Sequence, residues 1–291
     1  MPFALELAKL INATNYDILP PETKHWAKVG ILDTVGVTIA GAADPSARIC
    51  AGVLGSASGP AYVFGSSERV GMLDAALVNG TASHALDFDD CNNTIGGHPS
   101  APILPALFAL ADEISASGRD FLAAYVTGFE AECKISMGVN FYQYTRGWHP
   151  TTTIGVFGCA AACARLLKLS DEQTATALSI AASLAASVKS NFGTMTKPLH
   201  VGHCNRSGLF AALLARDGFT GARQIFDVTL DLVQTSCGMA VPYLSYTGDR
   251  ELLNEWAGKK GEEGLRQYWA EKNQLSLDDI QTNIVKKIRP Q

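Results

Sequence analysis

A chain of 291 residues is long enough for one large or two medium domains with a sizeable core. Hydrophobic residues make up 47% of it and charged residues 18%, which excludes a disordered protein. The formal net charge is −5 and no Lys/Arg run exceeds two, which speaks against nucleic acid as a partner.

The N-terminal stretch MPFALELAKLINATNYD lacks a basic lead and carries Glu6 early, unlike a secretory or transit segment. No apolar run reaches the roughly 18 residues that a bilayer span requires. A cytoplasmic protein without membrane contact is the expectation. The seven cysteines are odd in number, scattered in apolar segments and free of C-x-x-C pairs. That predicts buried thiols rather than disulfides or a metal site.

In chain order the reading is almost wholly helical. Pro20-Pro21-Glu22 opens a helix that ends near Gly41, with prolines at its start and glycine at its finish. Tyr62-Val63-Phe64 reads as a brief strand or turn. Leu73–Leu86 reads as an alanine-rich helix that carries on to Asp90, where Asn92-Asn93, Gly96-Gly97 and Pro99 break it. On that helix Asp87 and Cys91 share a face, His84 and Phe88 share another, and Asp89 and Asp90 point elsewhere.

Ala101–Ile114 and Phe121–Met137 show the three-and-four spacing of buried helical stripes. Thr153–Leu167 is rich in Gly and Ala and belongs in the centre of a bundle, with Cys159 and Cys163 on one buried face. Ser170-Asp171-Glu172-Gln173 is a capping box. Its helix carries Leu178, Ile180, Leu184 and Val188. A last helix is predicted over Arg206–Arg216, with Gly218 as its C-cap. The texture changes after about Gly221, and charge density rises from Asp249. The expected organisation is a mainly α protein, with an all-helical bundle over residues 1–222 and a small, shortened α+β part over 223–291.

Three clusters carry chemistry. Asn79–Ser100 packs two histidines and three aspartates into a short stretch, and buried groups of this kind cost free energy unless paired or used. His98 falls on a loop near the helix end bearing Asp87, and a plainer alternative is that Asp and His merely satisfy one another. His149 precedes the Gly/Ala helix, whose N-terminal dipole favours anions. Lys197-Pro198 lies between two helices, so its backbone is expected to be extended; Lys197 suits a carboxylate ligand or proton transfer. No phosphate loop, dinucleotide fingerprint, metal signature or G-x-S-x-G occurs. What remains is acid–base chemistry on a small anion, without cofactor or metal.

Together these motifs resemble the MmgE/PrpD family, which includes 2-methylcitrate dehydratase, cis-aconitate decarboxylase and iminodisuccinate epimerase. The resemblance rests on NG-x-x-x-H-x-LDFDD (79–90), HPS (98–100), HPT with its following Gly/Ala helix (149–164), TKPLH-x-G (196–202) and GFTG (218–221). It implies an all-α domain holding most of the active site, a lid domain completing it, and a homodimer. Carried over, the catalytic residues are Asp87, His98, His149 and Lys197, with His84, Cys91, Thr151 and His200 as expected substrate contacts. Cys91 stands where the decarboxylase branch has Thr. The family's lid contributes a further His and a Tyr. No matching K-x-x-P…H-x-x-I-D-A segment occurs here, although Leu275–Val285 echoes a family strand and Tyr243 or Tyr246 could substitute. The implied function is a lyase that dehydrates or decarboxylates a small di- or tricarboxylate by moving a proton alpha to a carboxylate. Epimerisation on the same site is one alternative, and a non-catalytic helical homologue without the lid is another.

Overall fold

The computed structural model describes residues 3–54, 58–139, 142–222, 259–261, 263, 264 and 267. By compactness the chain divides into Met1–Val228 and Thr229–Gln291. The described residues of the second unit are helical. The α+β character expected over 223–291, with Cys237, Tyr243, Tyr246 and Leu275–Val285, falls outside the described residues.

The protein is mainly α. The first unit runs α1 (Phe3–Ala13), α2 (Pro21–Gly41), α3 (Pro45–Leu54), β1 (Ser58–Tyr62), β2 (Arg69–Val70), α4 (Met72–His84), α5 (Leu104–Ile114) and α6 (Gly118–Val139). It continues with α7 (Tyr142–Thr145), α8 (Pro150–Thr153), α9 (Gly155–Leu166), α10 (Asp171–Leu184), a 3-10 turn at Lys189–Asn191 and α11 (Thr196–Arg216). β1 and β2 form a small antiparallel hairpin, so the strand lies upstream of the expected Tyr62–Phe64 and leaves Val63 and Phe64 in the turn. Asn79 ties this hairpin to α4: it accepts from the Phe64 N–H at 2.9 Å and donates to the Tyr62 carbonyl at 2.8 Å.

Two helices are buried nearly all round, and the site hangs from one of them. In α9 every residue but Arg165 is buried, because Gly and Ala let α6, α10 and α11 close in on it. Cys159 and Cys163 are both core, as expected. In α4 every residue from Ala75 to His84 is buried, between α2, α5 and α11. The crossing of α4 and α11 has no room for a side chain. A Cβ on Gly80 would stand 2.9 Å from the Gly202 Cα, and one on Gly202 would strike the Thr81 hydroxyl and the Leu77 carbonyl. The buried Asn205 pins α11 to the start of α5 and the chain before it, accepting from the Ala106 N–H and donating to the Ala101 carbonyl.

Several boundaries depart from expectation. The capping box of Ser170 with Gln173 begins α10, but Val188 lies beyond its end, bridged to Trp148. α4 stops at His84, not Asp90. Asp87 has a φ of 52°, a left-handed turn that ends the helical path and places all three aspartates on a loop. α11 starts at Thr196 rather than Arg206, so Lys197 is helical and not extended. Pro198 is tolerated because a first-turn N–H has no intrahelical partner to lose. Among the described residues no single helix is long and apolar enough to cross a membrane; α2 and α3 pass only as a pair bent by 81°.

Candidate active site

The site forms where the α4–α5 loop, α8 and the first turn of α11 meet. Asn92 organises the loop: its N–H donates to the Gly97 carbonyl at 2.9 Å and its side chain accepts from the Thr94 N–H at 2.7 Å. This hairpin returns His98 beneath the aspartates. The His98 N–H then donates to the Thr151 hydroxyl at 3.3 Å. Thr151 is buried and braces the loop from α8.

At the centre is Asp89, fully buried. Its carboxylate lies 2.9 and 3.0 Å from the Nδ1 of His84 and 3.3 Å from the Nδ1 of His98. The two rings stand edge to face with centroids 4.7 Å apart. Asp87 lies on their other side, its Oδ1 3.6 Å from the His98 Nε2 and 3.9 Å from the His84 Nε2. Lys197 reaches the same oxygen at 2.5 Å. Partial burial would raise the Asp87 carboxyl, but the hydrogen bond and charge of Lys197 prevail and hold it below its ordinary range. Asp90 turns inward, bonding the Ser100 hydroxyl and its N–H, and burial raises its carboxyl. The Ser100 hydroxyl also meets the Tyr125 hydroxyl at 2.6 Å.

His149 and His200 form the other flank. Their Nδ1 atoms are 3.3 Å apart, and the His149 ring is 5.7 Å from that of His84. Burial, reinforced by neighbouring positive groups, drives His149 down to about 2, so it stays neutral. It therefore offers a hydrogen bond rather than a charge. The long Gly/Ala helix begins separately at Gly155; His149 caps only the four-residue α8, so the expected dipole at its position is small. Phe192 packs edge-on to His149 at 4.8 Å and lies 5.4 Å from the Lys197 ammonium. Cys91 is exposed, 3.7 Å from the His98 Nδ1. Burial and the surrounding aspartates raise its thiol, which keeps it protonated and a poor nucleophile.

The structure thus brings together Asp87, His98, Lys197, His84 and Cys91, with His149 and His200 alongside and Thr151 behind. It corrects the reading of Asp89, which does not point away but carries both imidazoles. Its signal in the sequence is the D-x-D spacing, which a helix continued to Asp90 turns away from the imidazoles and the observed turn at Asp87 turns toward them. Phe192 had no legible signal. The donor atoms of His84, Asp87, Asp89 and His98 lie within 4.8 Å of one another, a spacing that fits a cation. Both carboxylates are committed, however, and an ion would have to take Asp87 from Lys197 and Asp89 from two imidazoles.

Residues 5–240 match the model of the MmgE/PrpD N-terminal domain. A cis-aconitate decarboxylase-like protein of Aspergillus oryzae is 32% identical over 233 residues, covering 76% of this chain and 48% of that protein. Human cis-aconitate decarboxylase is 34% identical over 206 residues, covering 68% and 43%, and the mouse enzyme is 37% identical over 159 residues, covering 53% and 32%. The chain thus spans half or less of the length of these curated relatives.

Proposed function

The chain belongs to the MmgE/PrpD family, and on that footing we propose that it acts as a cofactor-independent lyase on a small di- or tricarboxylate, with decarboxylation of a cis-aconitate-like acid as the leading reaction. One observation carries this reading: an ammonium and two carboxylate-backed imidazoles converge within 4 Å of a single carboxylate oxygen, Asp87 Oδ1. Lys197 holds a substrate carboxylate by charge, and neutral His149 adds a hydrogen bond. In decarboxylation the C–C bond to a carboxylate breaks, carbon dioxide leaves, and the electron pair spreads into the neighbouring unsaturated carboxylate. A proton taken up from water on the His98 Nε2 then passes to the carbon. Lys197 stabilises the charge on that enolate-like intermediate, in surroundings where such contacts are strong. Dehydration would use the same imidazole to remove the alpha proton. The names of the relatives favour the former.

The test is turnover by the full chain on cis-aconitate, methylcitrate and iminodisuccinate, with His98→Ala and Lys197→Ala as controls. Each change is expected to lower turnover by about 10²- to 10⁴-fold while the helical fold persists. Wild-type rates in either variant refute the assignment.

A further inference from the structure

We propose that Asp89 is the positioning residue of this site: one buried carboxylate that fixes the tautomer of two imidazoles, His84 and His98, and so presents both Nε2 lone pairs toward the substrate. The inference rests on the lyase reading for its chemical use, but its geometry stands apart from that. An ionised carboxylate only accepts hydrogen bonds, so a ring nitrogen that meets it must carry the hydrogen. Both His84 contacts to Asp89 are made by Nδ1. His98 also turns Nδ1 to Asp89, where the residue's backbone carbonyl at 3.3 Å is a second acceptor. Each ring therefore holds Nδ1–H and leaves Nε2 bare.

The other side of the rings agrees. The His84 Nε2 is buried and has no hydrogen-bond partner among the described residues, as expected of an acceptor kept for a group from outside the chain. Both Nε2 atoms face Asp87 Oδ1, which at 3.6 and 3.9 Å is too far for a bond and leans on Lys197 instead. Once a proton arrives on Nε2, Asp87 is the carboxylate placed to pair with it. The two acids thus divide the work. Asp89, fully buried, sets direction; Asp87, with its side chain 58% exposed, answers to charge.

The experiment is a long-range proton–nitrogen spectrum of the full chain, recorded above the pH range of imidazole titration. Its six histidines can be assigned by single substitution. His84 and His98 are expected as Nδ1–H tautomers. Asp89→Ala is expected to abolish that preference at His84 and weaken it at His98, leaving His25 unchanged. With cis-aconitate, kcat should fall on the order of 10²-fold or more with KM little altered, since Asp89 does not touch substrate. An Nε2–H tautomer at either ring in the wild type overturns the proposal, as does an unchanged His84 in Asp89→Ala. Should that variant not fold, the wild-type spectrum alone decides. Correct tautomers without turnover on any carboxylate would sink the lyase reading and leave the role of Asp89 intact.

Discussion

Four of the six histidines gather in one cluster, yet in two electrical settings. His84 and His98 lean on the Asp89 carboxylate, whereas His149 and His200 lean on each other. The first pair turns its Nδ1 atoms to a buried carboxylate. The second is buried without such a charge, and His149 stays neutral down to about pH 2. The same side chain thus meets a carboxylate on one flank and another imidazole on the other, and the difference lies in the neighbours.

The largest expected break in this contrast is kinetic. Lys197→Ala removes the cation proposed to hold the substrate and should cost about 10²- to 10⁴-fold in kcat/KM. His200→Asn removes only a contact between neutral rings and should cost about tenfold, in keeping with one lost hydrogen bond. Steady-state rates that fall equally would erase the distinction between flanks.

Next comes pH. Below about 6.5 the unfolded chain protonates His149 while the folded chain refuses, so the unfolded state binds more protons and stability drops on acidification toward pH 2. Urea titrations at pH 7 and pH 5 should show a smaller loss for His149→Asn than for wild type. An identical loss would mean that this ring is not held neutral.

Glu132 supplies the opposite sign. It lies on α6 with 0% exposure, and neither of its oxygens has a hydrogen-bond partner among the described residues. Burial first, then Asp90 and Cys159, raise its carboxyl well above the usual range. The folded chain keeps a proton that the unfolded chain releases from about pH 4.5 upward, so this group erodes stability as pH rises. Glu132→Met should raise stability by roughly 1–3 kcal/mol at pH 8 and by less at pH 5, read from thermal melts. A destabilised variant would show that the carboxyl has a partner.

Much of the bundle was legible in the sequence, because burial leaves periodic traces. The stripe of Ile103, Leu107 and Leu110, the Gly/Ala texture of α9 and the Ser170 box each correspond to an observed element. The gathering of Asp87, His98 and Lys197 was legible through motif resemblance. The backbone beneath them was not. Residue type does not reveal that Asp87 adopts a positive φ, since aspartate is at home in helices' first turns as well as in left-handed turns. Nor does Lys-Pro distinguish an extended linker from a helix's first turn, where proline also fits. The first of these ambiguities hid Asp89, whose partners become visible only once the helix stops at His84.

The crossing of α4 and α11 acts as a gauge for the whole site. Gly80 stands four residues before His84 and Gly202 five after Lys197, so the width of the gap between ammonium and imidazoles is set where the two glycines touch. Gly202→Ala would work as a shim there, wedged against Thr81 and Leu77. It would part Lys197 from Asp87 with every polar residue still in place, lowering melting temperature and kcat together.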